Sequence, residues 1–168
     1  MSEVLPPEHF DPDRLLEDLV GGGVRFILIG GLAVGVHGVV RATRDLDVVP
    51  DPEPDNLARL ADVLGSIHAR QIGVDTEHLP HQPTDPAGLA SGGSFQLATD
   101  HGQLDVLQES ETIPAYESLA ADALEIEWHG LRVQVCSLER LREMKVRAGR
   151  PIDLHDLQQL SEAHGDGG

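Results

Sequence analysis

Residues 27–49 constrain this chain more than any other stretch. An apolar run ends in Gly30-Gly31, a second short apolar segment follows, and Asp45-Leu-Asp47 then enters another apolar run. Residues 25–29 (Arg-Phe-Ile-Leu-Ile) are nearly all apolar, the pattern of a strand covered on both faces. Gly30-Gly31 leads directly into residues 32–40, predicted as a short buried helix, and residues 46–49 form the next strand, closed by Pro50. Residues i and i+2 of a strand share a face, about 6.5–7 Å apart. Asp45 and Asp47 therefore point to the same side while Leu46, Val48 and Val49 supply the buried one. Two like charges at the edge of an apolar strand repel and cost desolvation, and a divalent cation removes both penalties. The plainer alternative is a strand end with two solvated acids. Glycines without a Cβ let a phosphate approach the backbone N–H groups at the entry to a helix; the plainer alternative there is a tight turn. Neither Gly-Lys-Ser/Thr nor Gly-x-Gly-x-x-Gly occurs in this stretch, so neither the P-loop nor the dinucleotide fingerprint applies. Gly-Gly after a buried strand, one short helix, then Asp-x-Asp entering another strand is more specific than either element alone.

The rest of the chain alternates helix and strand patterns, which predicts an α/β (α+β) protein. Helices are expected over residues 13–20, 56–68 (capped by Asp55), 116–121, 138–148 (capped by Ser137) and 154–163. Strands are expected over 95–98 and 104–107, joined by Asp100-His101-Gly102, and over 125–128 and 131–136, a hairpin turning at His129-Gly130. Residues 71–93 combine prolines and paired glycines with polar residues, and read as a mobile loop. Aromatic residues make up only 3% of the 168 residues, so the core must be built from Leu, Val, Ile and Ala. His78-x-x-His81 has ligand-like spacing but no second pair or cysteine beside it, so no zinc site is read there.

Charge narrows the partners. Twelve Lys+Arg against 29 Asp+Glu give a net charge of −17, which offers no general attraction to phosphodiester backbones or anionic membranes and favours a cationic acceptor. Contact with nucleic acid would need a local patch; Arg132, Arg140, Arg142, Lys145, Arg147 and Arg150, folded back toward Arg41 and Arg44, are its candidates. No run reaches the about 18 apolar residues of a membrane span, the start lacks the pattern of a signal peptide, and the single Cys136 leaves no internal disulfide. The expected setting is the cytoplasm, with no membrane partner.

Ile29-Gly30-Gly31, the short helix, and Arg41-Ala-Thr43-Arg-Asp45-Leu-Asp47 resemble the active-site signature of the DNA-polymerase-β-type nucleotidyltransferase superfamily. Gln103-Leu-Asp105-Val-Leu sits where that superfamily has its third carboxylate. Lys145 … Gly149-Arg150-Pro-Ile-Asp153-Leu-His-Asp156-Leu resembles the Lys…Gly-Arg-x-Lys-Asp motif of its AbiEii-toxin-like branch, with Ile152 where that branch usually has lysine. The resemblance spans residues 24–160. It implies a mixed β-sheet nucleotidyltransferase fold flanked by helices, with a short C-terminal helical extension: a flexible start over residues 1–12, a core over 13–136, packed helices over 137–164 and a disordered tail over 165–168. It further implies a nucleotidyltransferase that moves a nucleoside monophosphate from a nucleoside triphosphate, ATP among the candidates, to a hydroxyl acceptor. Asp45, Asp47 and Asp105 would be the catalytic and metal-binding residues, for Mg²⁺ or Mn²⁺. Gly30 and Gly31 would cradle phosphates, Arg41 and Arg44 would flank the site, and Lys145 would meet the leaving pyrophosphate unless it is a solvated helix-end lysine. Arg150 and Asp153 are expected to pair and dock the last helix. The setting implied is a toxin–antitoxin system, with a tRNA 3′ end, or a partner protein such as a cognate antitoxin, as the other molecule. The alternatives are transfer to a cationic small molecule such as an aminoglycoside, and a catalytically silent nucleotide-binding module.

Overall fold

Phe26–Ile29 forms strand β1, and all four of its side chains are buried, which requires cover on both faces of the sheet. A computed structural model describes residues 9–72 and 85–165, and there β1 is an inner strand of a seven-stranded sheet of order β3-β4-β5-β2-β1-β7-β6. The other strands are β2 (Asp45–Pro50), β3 (Arg70–Gln71), β4 (Phe95–Thr99), β5 (Gly102–Val106), β6 (Leu124–Trp128) and β7 (Leu131–Val135). β1 pairs antiparallel with β2 and parallel with β7, while β2 pairs parallel with β5, so the sheet is mixed.

Helices α1 (Pro12–Gly21), α2 (Gly30–Val36), α3 (Pro54–Ser66), α4 (Pro86–Ala90), α5 (Tyr116–Ala121), α6 (Leu138–Ala148) and α7 (Pro151–His164) complete the fold. By their contacts, α1 and α4 pack with α3, and α2 and α7 pack with α6. Leu15, Leu16 and Leu19 of α1 are fully buried, at the spacing that predicted them. The β6–β7 turn has positive φ at both His129 (48°) and Gly130 (86°), as a type I′ hairpin requires.

Several boundaries differ from expectation, each for a local reason. α2 begins at Gly30 and ends by His37, because Gly38 has φ 98° and breaks it. α3 begins at Pro54, and Asp55 does not cap it; Asp55 pairs instead with Arg59 (3.1 Å) and Arg25 (3.4 Å). The neighbouring Asn56 is buried, accepting from Arg25 N at 2.7 Å and donating to the Arg25 and Asp51 carbonyls, which ties α3 to the start of β1. α7 begins at Pro151, where the missing N–H is harmless and Asp153 closes a capping box with Arg150. Within the expected loop of residues 71–93 lie the end of β3 and all of α4, capped by Asp85; residues 73–84, and with them His78 and His81, lie outside the described residues. At the start, the Asp11 N–H donates to the His101 carbonyl at 2.9 Å and Phe10 packs over Gly102, so the docked chain begins before residue 13. Residues 1–8 and 166–168, expected to be flexible, are also outside the described residues.

Candidate active site

Register brings the acids together. β1 runs antiparallel to β2 with Ile29 opposite Asp47, and β5 runs parallel to β2 with Asp47 opposite Asp105. The alternation that puts Leu46 and Val48 in the core turns Asp45 and Asp47 to the other side. One oxygen from each of Asp45, Asp47 and Asp105 lies within 4.8 Å of the others. Gln103, two residues before Asp105 on the same face, donates to Asp105 Oδ1 at 2.9 Å. The sequence held a signal for this residue, since i and i+2 share a face, but Gln103 had no expected role.

Gly30 is fixed by sterics. It has φ 74°, and a Cβ added there would lie 1.9 Å from Asp47 Oδ2. At Gly31 a Cβ would lie 2.4 Å from Arg41 Nη1 and 2.7 Å from Thr43 Oγ1. The two glycines thus let Asp47 and Arg41 close over the turn from β1 into α2.

These residues line one face of a cleft of about 540 Å³, with Lys145, Arg150 and Asp153 beside them and Leu107, Ile113, Leu141 and Met144 forming an apolar wall. Lys145 is buried, 7% exposed, which removes the solvated reading. Its Nζ lies 2.9 Å from Asp156 and 3.3 Å from Asp153. Arg150 grips Asp153 through Nε (2.7 Å) and Nη2 (3.1 Å), so the expected pair forms. Arg41 reaches Asp156 at 3.2 Å. Asp156 had no expected role, yet Asp153, Asp156 and Leu160 form the buried stripe of α7 at helical spacing, a legible oddity for two acids. Arg44 is exposed and does not line the cleft, because it falls out of phase with Asp45 and Asp47.

Of the expected basic patch, Arg41, Lys145 and Arg150 meet at the cleft, while the remaining arginines of α6 find nearer partners. Arg140 pairs with Glu143 (3.1 Å), Arg147 with Glu143 (3.0 Å), and Arg142 donates to the Gly165 carbonyl (2.6 Å). Helix i,i+3 and i,i+4 geometry favours such neutralisation.

Burial, and then repulsion from Asp45 and Asp105, push Asp47 up to about 8. Burial is also the main cause that raises Asp105 to about 6, against the Gln103 hydrogen bond. Burial would raise Asp153 as well, but Arg150 and Lys145 outweigh it and hold it below the ordinary carboxylate range. Converging hard oxygen donors, short of positive charge, suit Mg²⁺ or Mn²⁺ rather than zinc, and the residues fit such an ion. A raised carboxylate pKa means that the folded state binds more protons than the unfolded one. Stability then falls as pH rises from about 4 toward about 8. In chelator, the melting temperature is expected to fall as pH rises over pH 5–8. Asp47→Asn should flatten the curve; parallel curves for the two proteins would show that the triad is not the cause.

The sheet order and the triad together define a class, the nucleotidyltransferase fold, and solved structures share it. A protein from Thermotoga maritima described as a nucleotidyltransferase aligns with a TM-score of 0.54 at 16% identity, covering 91% of this chain and 95% of its own. A lincosamide antibiotic adenylyltransferase with bound lincomycin gives 0.58 at 16% identity, over 96% and 99%. An antigenic nucleotidyltransferase-like protein from Paracoccidioides brasiliensis gives 0.54 at 20% identity, over 89% and 72%. At such identities the likeness speaks for the fold alone. No curated protein matches in sequence. Residues 14–168 match the family described as "Nucleotidyl transferase AbiEii toxin, Type IV TA system", a toxin–antitoxin family, and the chain belongs to it. By family it is a nucleotidyltransferase. Among the described residues no helix is long and apolar enough to cross a membrane.

Proposed function

We propose that this protein moves a nucleoside monophosphate from a nucleoside triphosphate to a hydroxyl acceptor, releasing pyrophosphate. The observation that carries the reading is the convergence of Asp45, Asp47 and Asp105 within 4.8 Å, closed over by a Gly30 that has no room for a side chain. Asp45, Asp47 and Asp105 would hold Mg²⁺ or Mn²⁺, which when bound neutralises charge on the phosphoryl oxygens. Asp105 accepts the proton of the attacking hydroxyl as the new bond to the α-phosphorus forms. The bond from that phosphorus to the β-phosphate oxygen breaks, and its electron pair leaves on pyrophosphate. Lys145 has three N–H donors and two carboxylate contacts, so one donor remains for that leaving charge. Arg41 stands beside it over Gly31, and Gly30 and Gly31 leave space for the β- and γ-phosphates.

For a member of a toxin–antitoxin family, the acceptor to test first is a tRNA 3′ end or a partner protein, with ATP as one donor and the cytoplasm as the proposed setting. A second reading, transfer to a cationic small molecule such as an aminoglycoside, is favoured by the net charge of −17 and by the pairing of Arg140, Arg147 and Arg150 with acids. One solved structure of this fold is a lincosamide antibiotic adenylyltransferase. The test is incubation with each labelled nucleoside triphosphate, Mg²⁺, and tRNA, cell lysate or aminoglycoside in separate reactions. Wild type is expected to label one acceptor, and Asp45→Asn/Asp47→Asn none. Label on tRNA should fall steeply with salt, by roughly 0.7–0.9 log units per phosphate contacted for each decade. Equal labelling by the double variant refutes the site. Nucleotide binding in wild type without any labelled acceptor points to a silent module.

A further inference from the structure

Asp156 is a carboxylate with no exposure at all, on α7, flanked by cations from two other segments. Arg41 comes from the link between α2 and β2, and its Nε lies 3.2 Å from Oδ1. Lys145 comes from α6, and its Nζ lies 2.9 Å from Oδ2. Both contacts are ion pairs, and the Asp156 oxygens have no hydrogen-bond partner beyond these two cations. Lys145 has three N–H donors and Arg41 five, so contact with Asp156 leaves donors free on both. Both side chains line the cleft of the acidic triad, and Arg41 Nη1 sits directly over Gly31. A buried charge without hydrogen bonds is costly unless the charges beside it balance it. Arg41, Lys145 and Arg150 against Asp153 and Asp156 leave one net positive charge in this cluster.

From this geometry we infer that Asp156 is a positioning residue: it touches no substrate, and holds Arg41 and Lys145 side by side so that both meet the triphosphate. The inference rests on the nucleotidyltransferase reading above. It makes α7 part of the phosphate site, although no exposed side chain of α7 need touch the nucleotide.

The test uses the full chain, Mg²⁺, and a non-hydrolysable nucleoside triphosphate alongside the matching monophosphate, with affinities from calorimetry. Asp156→Asn should weaken triphosphate binding at least about tenfold and monophosphate binding less than about twofold, since only the outer phosphates lose their cations. On an Arg41→Gln/Lys145→Gln background the same change should add less than about twofold, because the residues it acts through are gone. Equal losses for the two nucleotides, or an undiminished effect on that background, would overturn the assignment. If Asp156→Asn does not fold, Lys145→Gln/Asp156→Asn removes one charge of each sign and is compared with Lys145→Gln alone. A further triphosphate-specific loss through Arg41 is then expected, and identical affinities refute the role. Absence of labelling by wild type in the transfer assay would instead strike at the parent reading, so the two failures are distinguishable.

Discussion

Replacing Asp105 with Asn is expected to lower kcat by about 10³-fold while nucleotide affinity changes less than about tenfold. Asp105 lies opposite Asp47 across the β2–β5 pairing, so its amide would keep the shape of the triad and the bond from Gln103 could re-form. What the amide lacks is a lone pair basic enough to take the acceptor's proton. Asp45 and Asp47 remain to hold the metal–nucleotide. Single-turnover transfer measured beside equilibrium binding separates the two effects. A variant that binds tenfold or more weakly and turns over in proportion would mean that Asp105 serves binding rather than proton transfer.

Gly30→Ala should damage both stability and chemistry. The new methyl would stand 1.9 Å from Asp47 Oδ2, 2.7 Å from its Cγ and 2.9 Å from its Cβ, at a backbone φ of 74°. Asp47 must swing out of the triad, or the turn must shift. Left-handed strain costs about 1–2 kcal/mol and overpacking about 1–3 kcal/mol more, which corresponds to a fall in Tm of roughly 5–15 °C for a chain of this size. Transfer should fall at least about 100-fold. Gly30→Ala/Asp47→Gly removes the clash, so it should regain much of the lost Tm but none of the activity. If the second change restores no stability, the close approach of Gly30 and Asp47 is not what forbids a side chain. Gly31→Ala should also disturb the site, since its methyl would stand 2.4 Å from Arg41 Nη1 and 2.7 Å from Thr43 Oγ1, but it carries no left-handed strain.

What could be read before the structure followed periodicity. The strand at Phe26–Ile29, the leucine face of α1, and Asp45 and Asp47 on one strand face all came from repeats of two or three to four residues. The third carboxylate came from resemblance, since nothing local in Gln103-Leu-Asp105 announces that β5 lies beside β2. Arg44 lies outside the cleft because it is out of phase with Asp45, and Arg140 and Arg147 turn to Glu143, their neighbour on α6. β3 has only two residues, too short for an alternating pattern to exist. Asp156 is the opposite case: its place in the buried stripe is legible in the sequence, but an acid there has no meaning until Arg41 is known to fold back on it.

The parallel pairing of β2 with β5 has a consequence for when the enzyme comes into being. Parallel neighbours cannot be joined by a tight turn, so Asp47 meets Asp105 across a long stretch of chain that includes α3, α4 and β4. Contacts this distant in sequence close late and slowly. A chain still leaving the ribosome can carry Asp45, Asp47 and both glycines and yet have no triad, and it lacks the α7 carboxylates that flank Lys145 until later still. Under the proposed function, transfer can begin only once β5 has been made and Asp105 has joined Asp45 and Asp47.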